Sequence, residues 1–263
     1  MHTTAILNLK GGVGKTTTAV NMAAVLAARG DKVLVIDTDA QANATQFYGF
    51  KGDLNSLTGV LQGQADNYEE FIYDTGETNT KLLPADIDLI EYDIASVRSG
   101  GNYTFLAELL DVIREDDELT PPPERIAEWV IIDCPPSFTA ASVAAIYAAD
   151  DIIIPVKVDA FSLGGLSQLL SQIENVKKVK PEIRVAGVLI TMWHNSPAVV
   201  QGEEYLRNSG VPVFRTVIRR SDKVDESTFY GQALQSYSPQ SGAGRDYRAF
   251  VNEYLEGVYN NGK

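Results

Sequence analysis

A glycine- and lysine-rich run near the amino terminus has the composition of a phosphate-binding loop. Residues 10–17 read KGGVGKTT, between a β-favouring run at residues 4–9 and an alanine-rich, helix-favouring run at residues 15–29. Glycines let successive backbone N–H groups turn toward one anion, and the following helix presents its positive end there. We expect Lys15 to contact the β- and γ-phosphates of a nucleoside triphosphate and the Thr16 hydroxyl to bind Mg²⁺. The candidate nucleotide-binding residues are Lys10, Gly11, Gly12, Val13, Gly14, Lys15, Thr16 and Thr17.

The loop departs from the common pattern G-x-x-x-x-G-K-[ST]. Leu9 occupies the position of the first glycine, and a second lysine, Lys10, stands at the start of the loop. A glycine-rich turn without a ligand is the alternative interpretation. Glycines, two lysines and paired threonines between a strand and a helix favour phosphate binding instead.

Aspartates follow two apolar runs that have the character of buried strands. Asp37 ends the run at residues 32–37, Asp39 comes two residues later, and Asp133 ends the run at residues 129–133. Because ligands of open α/β sheets bind at the carboxyl ends of parallel strands, we expect these carboxylates at one edge of the sheet. We predict that Asp133 holds Mg²⁺ through a water, that Asp39 orients or activates the attacking water, and that Asp37 supports the turn and the metal shell. The alternative is that they are turn residues or helix caps. The candidate metal ligands are Thr16, Asp39 and Asp133.

Strand-like and helix-like segments alternate along the rest of the chain. Apolar runs at residues 151–156 and 185–191 have strand character, and helix-length segments lie at residues 137–149, 163–179, 198–208 and 244–259. This alternation predicts an α/β fold: a doubly wound, mostly parallel sheet with helices on both faces. The 263 residues suit a single domain, residues 1–263. Residues 51–128, with helices expected at 54–61 and 105–115, have the character of an acidic, less regular insertion at one edge of that domain.

Charge is distributed unevenly along the chain. The net charge is −13, and residues 53–151 hold 21 acidic and 4 basic side chains, whereas residues 157–223 hold 10 basic and 6 acidic ones. Overall acidity argues against a nucleic-acid partner, but two basic clusters have the side chains that neutralise DNA phosphates. A solvated charged face is the alternative. The clusters are Lys177, Lys178, Lys180 and Arg184, and Arg215, Arg219, Arg220 and Lys223.

Composition excludes several classes of protein. Cys134 is the one cysteine, so an internal disulfide framework and a four-cysteine metal site within the chain are excluded. No apolar run approaches the roughly 18 residues of a spanning helix. The amino terminus has no positively charged segment of the kind that begins a signal peptide. We therefore expect a cytoplasmic protein.

Several motifs together resemble those of the ParA/Soj-type partitioning ATPases, P-loop NTPases of the deviant Walker A class that also includes MinD-like proteins. KGGVGKTTTAVNMA carries the most specific similarity; VLVIDTDAQANAT, IIDCPPS, FSLGGLSQLL, GVLITM and SGAGRDYRAF resemble later family motifs in the same order. The resemblance implies ATP and Mg²⁺ as cofactors and a homodimer of two ATP-bound chains. It implies that Lys10 reaches across to the partner's phosphates, as an arginine finger does elsewhere. The catalytic candidates are then Asp39, Lys10 and Lys15.

The resemblance also implies a function and partners. ATP dimers of the family bind DNA non-specifically, and a centromere-binding, ParB-like adaptor stimulates hydrolysis, so plasmid or chromosome partition is expected, with nucleoid association if DNA is bound. Two alternatives stay open: an ATP-gated scaffold that positions a protein cargo, and an ATP-dependent metabolic ligase of the same fold. A membrane-targeted, MinD-like role is disfavoured because the closing segment DYRAFVNEYLEGVYNNGK has no basic face.

The sequence departs from the family pattern at two places. Ala40 and Ala42 replace the usual proline and glycine of the first switch. Where the family reads I-P-R-N near the adenine, residues 218–221 read IRRS, so Arg219 and Ser221 take the positions of the proline and the asparagine. With Met192, which follows a predicted strand, Arg219 and Ser221 are the candidates for adenine contact.

Overall fold

The apolar runs of the sequence form the strands of one sheet. The computed structural model describes residues 1–52, 54–63, 67–99, 103–159 and 162–261. In that part of the chain the sheet has eight strands in the order β3-β4-β2-β5-β1-β6-β7-β8. β3 is antiparallel to β4, and the other neighbouring pairs are parallel. The strands are β1 (His2–Ile6), β2 (Val33–Asp37), β3 (Tyr73–Asp74), β4 (Thr80–Leu83), β5 (Trp129–Asp133), β6 (Asp151–Lys157), β7 (Arg184–Trp193) and β8 (Val213–Arg219).

Helices connect the strands and cover the sheet. Two short 3-10 turns accompany them, Tyr68–Phe71 and Pro122–Glu124. The helices are α1 (Lys15–Ala28), α2 (Asn43–Phe47), α3 (Leu57–Leu61), α4 (Leu89–Ser99), α5 (Phe105–Leu119), α6 (Ala140–Ala148), α7 (Ser162–Lys177), α8 (Pro197–Arg207), α9 (Asp222–Phe229), α10 (Leu234–Tyr237) and α11 (Gly242–Asn261). In the described residues no helix is both long and apolar enough to cross a membrane.

Hydrophobic packing buries both faces of the sheet. Successive residues of a strand contribute to opposite clusters: Ile131 packs on the side of α1 and α11, and Ile132 packs on the side of α5, α6 and α7. A strand buried on both faces must be apolar throughout, which explains runs such as WVIID. The doubly wound, mostly parallel α/β fold with helices on both faces, predicted from the sequence, is confirmed.

The sheet also contains strands that the sequence does not announce. β4 pairs in parallel with β2, from Val33 opposite Thr80 to Ile36 opposite Leu83, and β8 forms the far edge beside β7. The acidic stretch at residues 51–128 thus contributes β3 and β4 to one edge of the sheet. That this stretch is an insertion stays a prediction, and within it Asp53 and residues 64–66 and 100–102 lie outside the described residues. The motif FSLGGLSQLL likewise begins at Phe161, outside them.

The three central strands bring the chemically interesting segments together. β5 lies between β2 and β1, with Asp133 opposite Asp37 on one side and opposite Ile6 on the other. The carboxyl ends of these strands therefore lead into three neighbouring segments: the glycine-rich loop after β1, the turn after β2, and the CPPS segment after β5.

Candidate active site

The glycine-rich loop adopts a backbone that its glycines make possible. Gly12 has φ +69° and Gly14 has φ +87°, both in the left-handed region that residues with a Cβ rarely adopt. Gly14 is the N-cap of α1 without a side-chain cap, and the first turn of α1 carries no acidic residue. The amino end of α1 therefore faces the loop with N–H donors and a positive helix dipole. The Thr191 hydroxyl of β7 donates to the Val13 carbonyl at 2.8 Å, which ties the loop to the sheet.

The two lysines of the loop have different surroundings. Lys15 is buried, and its Nζ donates to the Lys10 carbonyl at 3.2 Å. Burial lowers the pKa of Lys15, opposed chiefly by the carboxylate of Asp133. Lys10 instead extends its Nζ to the carboxylate of Asp159, two residues beyond β6, at 2.6 Å from Oδ1. Lys15 thus lies buried against the loop backbone, whereas Lys10 forms a partly exposed ion pair with Asp159.

Asp37 fastens the turn after β2. Its carboxylate is fully buried and accepts hydrogen bonds from the Thr45 amide (2.9 Å), the Thr45 hydroxyl (2.8 Å) and the Asp39 amide (3.1 Å). Burial raises the pKa of Asp37 to about 6, with the hydrogen bonds from Thr45 and Asp39 opposing the rise. Asp39 Oδ1 accepts from the Gln41 amide at 2.9 Å, and Asp39 lines the adjoining cleft. Asp37 therefore fixes the turn that carries Asp39.

Asp133 differs from Asp37 in having no protein hydrogen-bond partner. The residue is fully buried, and among the described residues neither of its carboxylate oxygens is hydrogen-bonded. Burial, followed by the charge of Asp37, raises its pKa well above the usual range, opposed by the Lys15 ammonium and by the nearby Thr16 hydroxyl, which does not meet hydrogen-bond geometry to either oxygen. A buried carboxylate without a partner is costly, and a divalent cation would satisfy it.

The residues around Asp133 fit Mg²⁺. No group of three or more His, Cys, Asp or Glu side chains suited to a metal occurs in the described part of the chain. Magnesium is normally bound through one or two carboxylates together with waters and substrate phosphates, so a large cluster is not needed. Thr16 and Asp133 can supply such a site, with Asp39 nearby on the wall of the cleft.

An open cleft of about 550 Å³ lies over the loop. It combines Asp39, which the sequence predicts independently, with six of the predicted loop residues: Gly11, Gly12, Gly14, Lys15, Thr16 and Thr17. Other lining residues were not predicted, because the fold brings them to the cleft from α1, from the chain after β2, from the segment after β5 and from α9. They are Val20, Asn43, Gln46, Phe47, Lys51, Pro136 and Thr228.

A second cavity of about 260 Å³ shares Gly14, Thr17 and Met192 with the cleft. Met192, the penultimate residue of β7, has φ +51°, and the second cavity also contains Arg219 and Ser221, so the three adenine-contact candidates lie together. Asp246 of α11 holds the Arg219 guanidinium through two hydrogen bonds of 2.7 and 2.8 Å. The Ser221 hydroxyl caps α9, accepting from the Lys223 amide at 3.3 Å.

The basic clusters are largely paired within the chain. In the first, Lys177 contacts Glu174, Lys180 donates to the Tyr147 carbonyl, and Arg184 makes a two-fold contact with Asp151. In the second, Arg215 contacts Glu253 and Glu256, Arg219 contacts Asp246, and Lys223 contacts Glu226. Arg215 nevertheless keeps 79% of its side chain exposed. Ion pairs within the single chain therefore neutralise part of the positive charge of the two clusters that were predicted to contact DNA.

Comparisons with known proteins agree with the geometry. A family described as "AAA domain" matches residues 1–185. The chain is 32% identical over 256 residues to the chromosome partitioning protein ParA of Caulobacter vibrioides, covering 95% of this chain and 92% of that protein. It is 33% identical over 257 residues to the sporulation initiation inhibitor protein Soj of Bacillus subtilis, covering 95% and 96%.

A solved structure of an enzyme is also similar. Cobyrinic acid a,c-diamide synthase from Mycobacterium smegmatis, with bound ADP and magnesium, has a TM-score of 0.82 and 26% identity and covers 100% of this chain and 97% of that chain. The same enzyme with a bound ATP analogue and magnesium gives the same values. Nucleotide and magnesium in these neighbours agree with ATP and Mg²⁺ as the predicted cofactors.

The fold and the glycine-rich loop before α1 define a P-loop ATPase. Sequence similarity over almost the whole chain narrows the class further. The chain belongs to the ParA/Soj family of partitioning ATPases, as its motifs predicted. Family membership supports ATP hydrolysis and an ATP-dependent positioning role for this chain.

Proposed function

We propose that this chain is an ATP-hydrolysing dimerisation switch that segregates or positions DNA in plasmid or chromosome partition. The observation that carries the proposal is the contrast between the two loop lysines. Lys15 is buried against the loop backbone, whereas Lys10 contacts Asp159 beyond β6. Lys15 serves the nucleotide of its own chain, and Lys10, as the family resemblance implies, exchanges its contact with Asp159 for the nucleotide of a second chain.

Each remaining site residue has a distinct role in this proposal. Loop N–H groups and Lys15 neutralise the β- and γ-phosphates. Thr16 and Asp133 hold Mg²⁺, which when bound supplies positive charge against the phosphates and makes hydrolysis magnesium-dependent. Asp39, a further candidate ligand, orients the attacking water, and Asp37 fixes the turn that carries it. Adenine contacts are assigned to Met192, Arg219 and Ser221 in the second cavity.

Substitution of each lysine tests the division of roles. Lys15→Ala should abolish nucleotide retention because the phosphates lose their buried counter-charge. Lys10→Ala should retain ATP but lose the rise in turnover per chain that dimerisation gives as protein concentration increases. Turnover is measured over a concentration series, with a fluorescent ATP analogue to report binding and the exposed Lys178→Ala as the matched control. Turnover of the Lys10 variant equal to that of the unmodified chain at every concentration would contradict the cross-dimer role.

We further propose that the ATP dimer binds duplex DNA non-specifically, in the cytoplasm on the nucleoid, and that a centromere-binding, ParB-like adaptor stimulates hydrolysis. Surface ion pairs are weak, so DNA phosphates can replace the acidic partners of residues such as Arg215 and Lys223. The ATP-loaded protein should retard duplex DNA at low salt and the ADP-loaded protein should not. Arg215→Ala with Lys223→Ala should weaken the retardation, and equal retention with ATP and ADP would reject the proposal.

The similarity to a cobyrinic acid a,c-diamide synthase favours one second candidate, an ATP-dependent ligase that amidates a small organic acid. A ligase would hydrolyse ATP only when an acid acceptor and an amide or ammonia donor are both present. A partition ATPase would hydrolyse ATP without them and respond to DNA and an adaptor. Turnover measured with and without a panel of carboxylic acids plus glutamine therefore separates the two functions.

A further inference from the structure

Three isoleucines form an exposed apolar stripe on α4 and the turn before it. Ile87, Ile90 and Ile94 are 61%, 43% and 50% exposed. Ile90 and Ile94, four residues apart, lie on one side of α4, and the Ile90 amide donates to the Ile87 carbonyl of the preceding turn at 3.1 Å, which keeps Ile87 near the start of the helix. Single exposed apolar residues are ordinary on protein surfaces, but a contiguous set of branched aliphatic side chains marks an interaction surface.

The opposite side of α4 is already fixed against the protein. Leu89 and Ser96 are buried, and the Asp93 carboxylate accepts a hydrogen bond from the Ala141 amide of α6 at 3.0 Å. Before the helix, the Asp86 carboxylate accepts from the Thr58 hydroxyl at 2.6 Å. Rotation of α4 cannot bury the isoleucines without withdrawing these groups. The stripe is therefore a stable feature of the surface.

Exposed acidic side chains accompany the stripe. Asp88 and Glu91 are exposed within the segment that carries the isoleucines, whereas the carboxylates of Asp86 and Asp93 are engaged with the protein. The first basic residue is Arg98, one turn beyond Ile94. The segment lies in the stretch that holds 21 acidic and 4 basic residues. A partner complementary to this surface must combine aliphatic and basic side chains.

We propose that this surface docks an amphipathic helix of another protein, with aliphatic side chains on one face and lysines or arginines beside them. Two helices packed along such a stripe bury aliphatic anchors at i, i+3, i+4 and i+7. The flanking acids select for basic residues and raise the association rate at low salt. This inference holds whether or not the loop binds and hydrolyses ATP.

A second copy of this chain is the competing occupant. The exposed apolar residue nearest to lysines is Val179, which is 74% exposed and lies between Lys178 and Lys180 just after α7. One valine after a helix end does not provide anchors at helical spacing. The structure therefore favours a different protein as the occupant.

A synthetic peptide of leucine and lysine tests the proposal directly. The probe is a labelled peptide of about 18 residues with leucines at i, i+3, i+4 and i+7, long enough to form a helix on binding. The control peptide has the same composition with the leucines scrambled. We expect the full chain to bind the helical peptide at least about tenfold more tightly in fluorescence anisotropy, since ordered anchors dominate such contacts. Equal binding of the two peptides would overturn the proposal.

Variants of the surface locate the binding. Replacing Ile87, Ile90 and Ile94 together with glutamine should weaken binding at least about tenfold. Leu119→Gln is the matched control, because Leu119 is 88% exposed on the equally acidic α5; it should change binding less than about twofold. Asp88→Asn with Glu91→Gln should weaken binding and reduce its salt dependence, whereas Glu115→Gln with Glu118→Gln should not.

Two further measurements keep the proposal testable if the triple variant is damaged. Circular dichroism and thermal melting establish whether that variant is folded. Amide hydrogen exchange of the unmodified chain, with and without the helical peptide, needs no substitution and should show protection within residues 87–98. Protection confined to other segments would overturn the proposal. So would self-association of the unmodified chain that the triple variant abolishes, because the stripe would then pair two copies.

Discussion

Replacing Asp151 with asparagine should destabilise the protein by an amount that depends on pH. Asp151, at the start of β6, is buried and accepts hydrogen bonds from Arg184 (2.6 Å to each oxygen) and Tyr254 (2.8 Å), and it lies 3.0 Å from the His2 ring. Burial opposes ionisation, but these hydrogen bonds outweigh it and lower the pKa of Asp151 from 3.8 to about 2. The lowered pKa corresponds to about 2 kcal/mol of stability from the ionised form.

The sign of the pH effect follows from the lowered pKa. This contribution is present above the unfolded pKa near 3.8 and is lost as pH falls through the folded value of about 2. The unmodified chain should therefore exceed Asp151→Asn in free energy of unfolding by a gap that narrows by about 1 kcal/mol between about pH 5 and about pH 3.

Urea unfolding of both proteins at the two pH values measures the gap. Asp74→Asn is the control, because the Asp74 side chain is 84% exposed in its contact with Lys81 and should give a small gap at both pH values. A gap for Asp151→Asn that stays constant, or widens toward pH 3, would refute the reasoning.

Two more pairs of substitutions compare matched positions. Asp37→Asn should cost about 1–3 kcal/mol in unfolding free energy, because it disturbs three buried hydrogen bonds. Asp133→Asn should leave the nucleotide-free protein as stable or more stable, because neither oxygen of that buried carboxylate accepts a hydrogen bond within the described residues. Thermal melting of both variants without nucleotide tests this difference, and a greater loss of stability at Asp133 than at Asp37 would contradict it. Gly231→Ala places a Cβ 2.6 Å from the Phe47 carbonyl oxygen at φ +61°. It should lower the free energy of unfolding by about 1–3 kcal/mol more than Gly210→Ala, where φ is +81° but no atom lies within 4 Å of the added Cβ. Equal denaturation midpoints for the two alanine variants would contradict a role for the contact at Phe47.

Sequence reasoning predicted the long strands that are buried on both faces and missed the edge strand β8 and the short strand β4. β5 was predicted with its observed bounds because WVIID is apolar until its final acid. β8 was not predicted because Arg215 and Thr216 interrupt VFRTVIR, a pattern that an edge strand tolerates since one side has no neighbouring strand. β4 was missed because four residues, TKLL, are too short to show periodicity.

The site was predicted as far as local spacing determines it. The loop is contiguous, so KGGVGKTT predicts it directly, and the rule for carboxyl ends of parallel strands placed Asp37 and Asp133 correctly beside each other. The contact between Lys10 and Asp159 joins residues 149 positions apart, and no sequence pattern announces it. The lining residue Lys51 depends in the same way on the path of the chain after α2.

The most direct test of the central claim is the mass of the Asp39→Ala variant in solution with ATP and Mg²⁺. In the proposed mechanism Asp39 orients the attacking water, so in its absence ATP should stay bound and hold two chains together. Sedimentation should then show a species of about twice the 28.6 kDa chain mass with ATP and the single chain with ADP. Stoichiometric ATP bound to a species that remains at 28.6 kDa at every protein concentration would contradict an ATP-driven dimer.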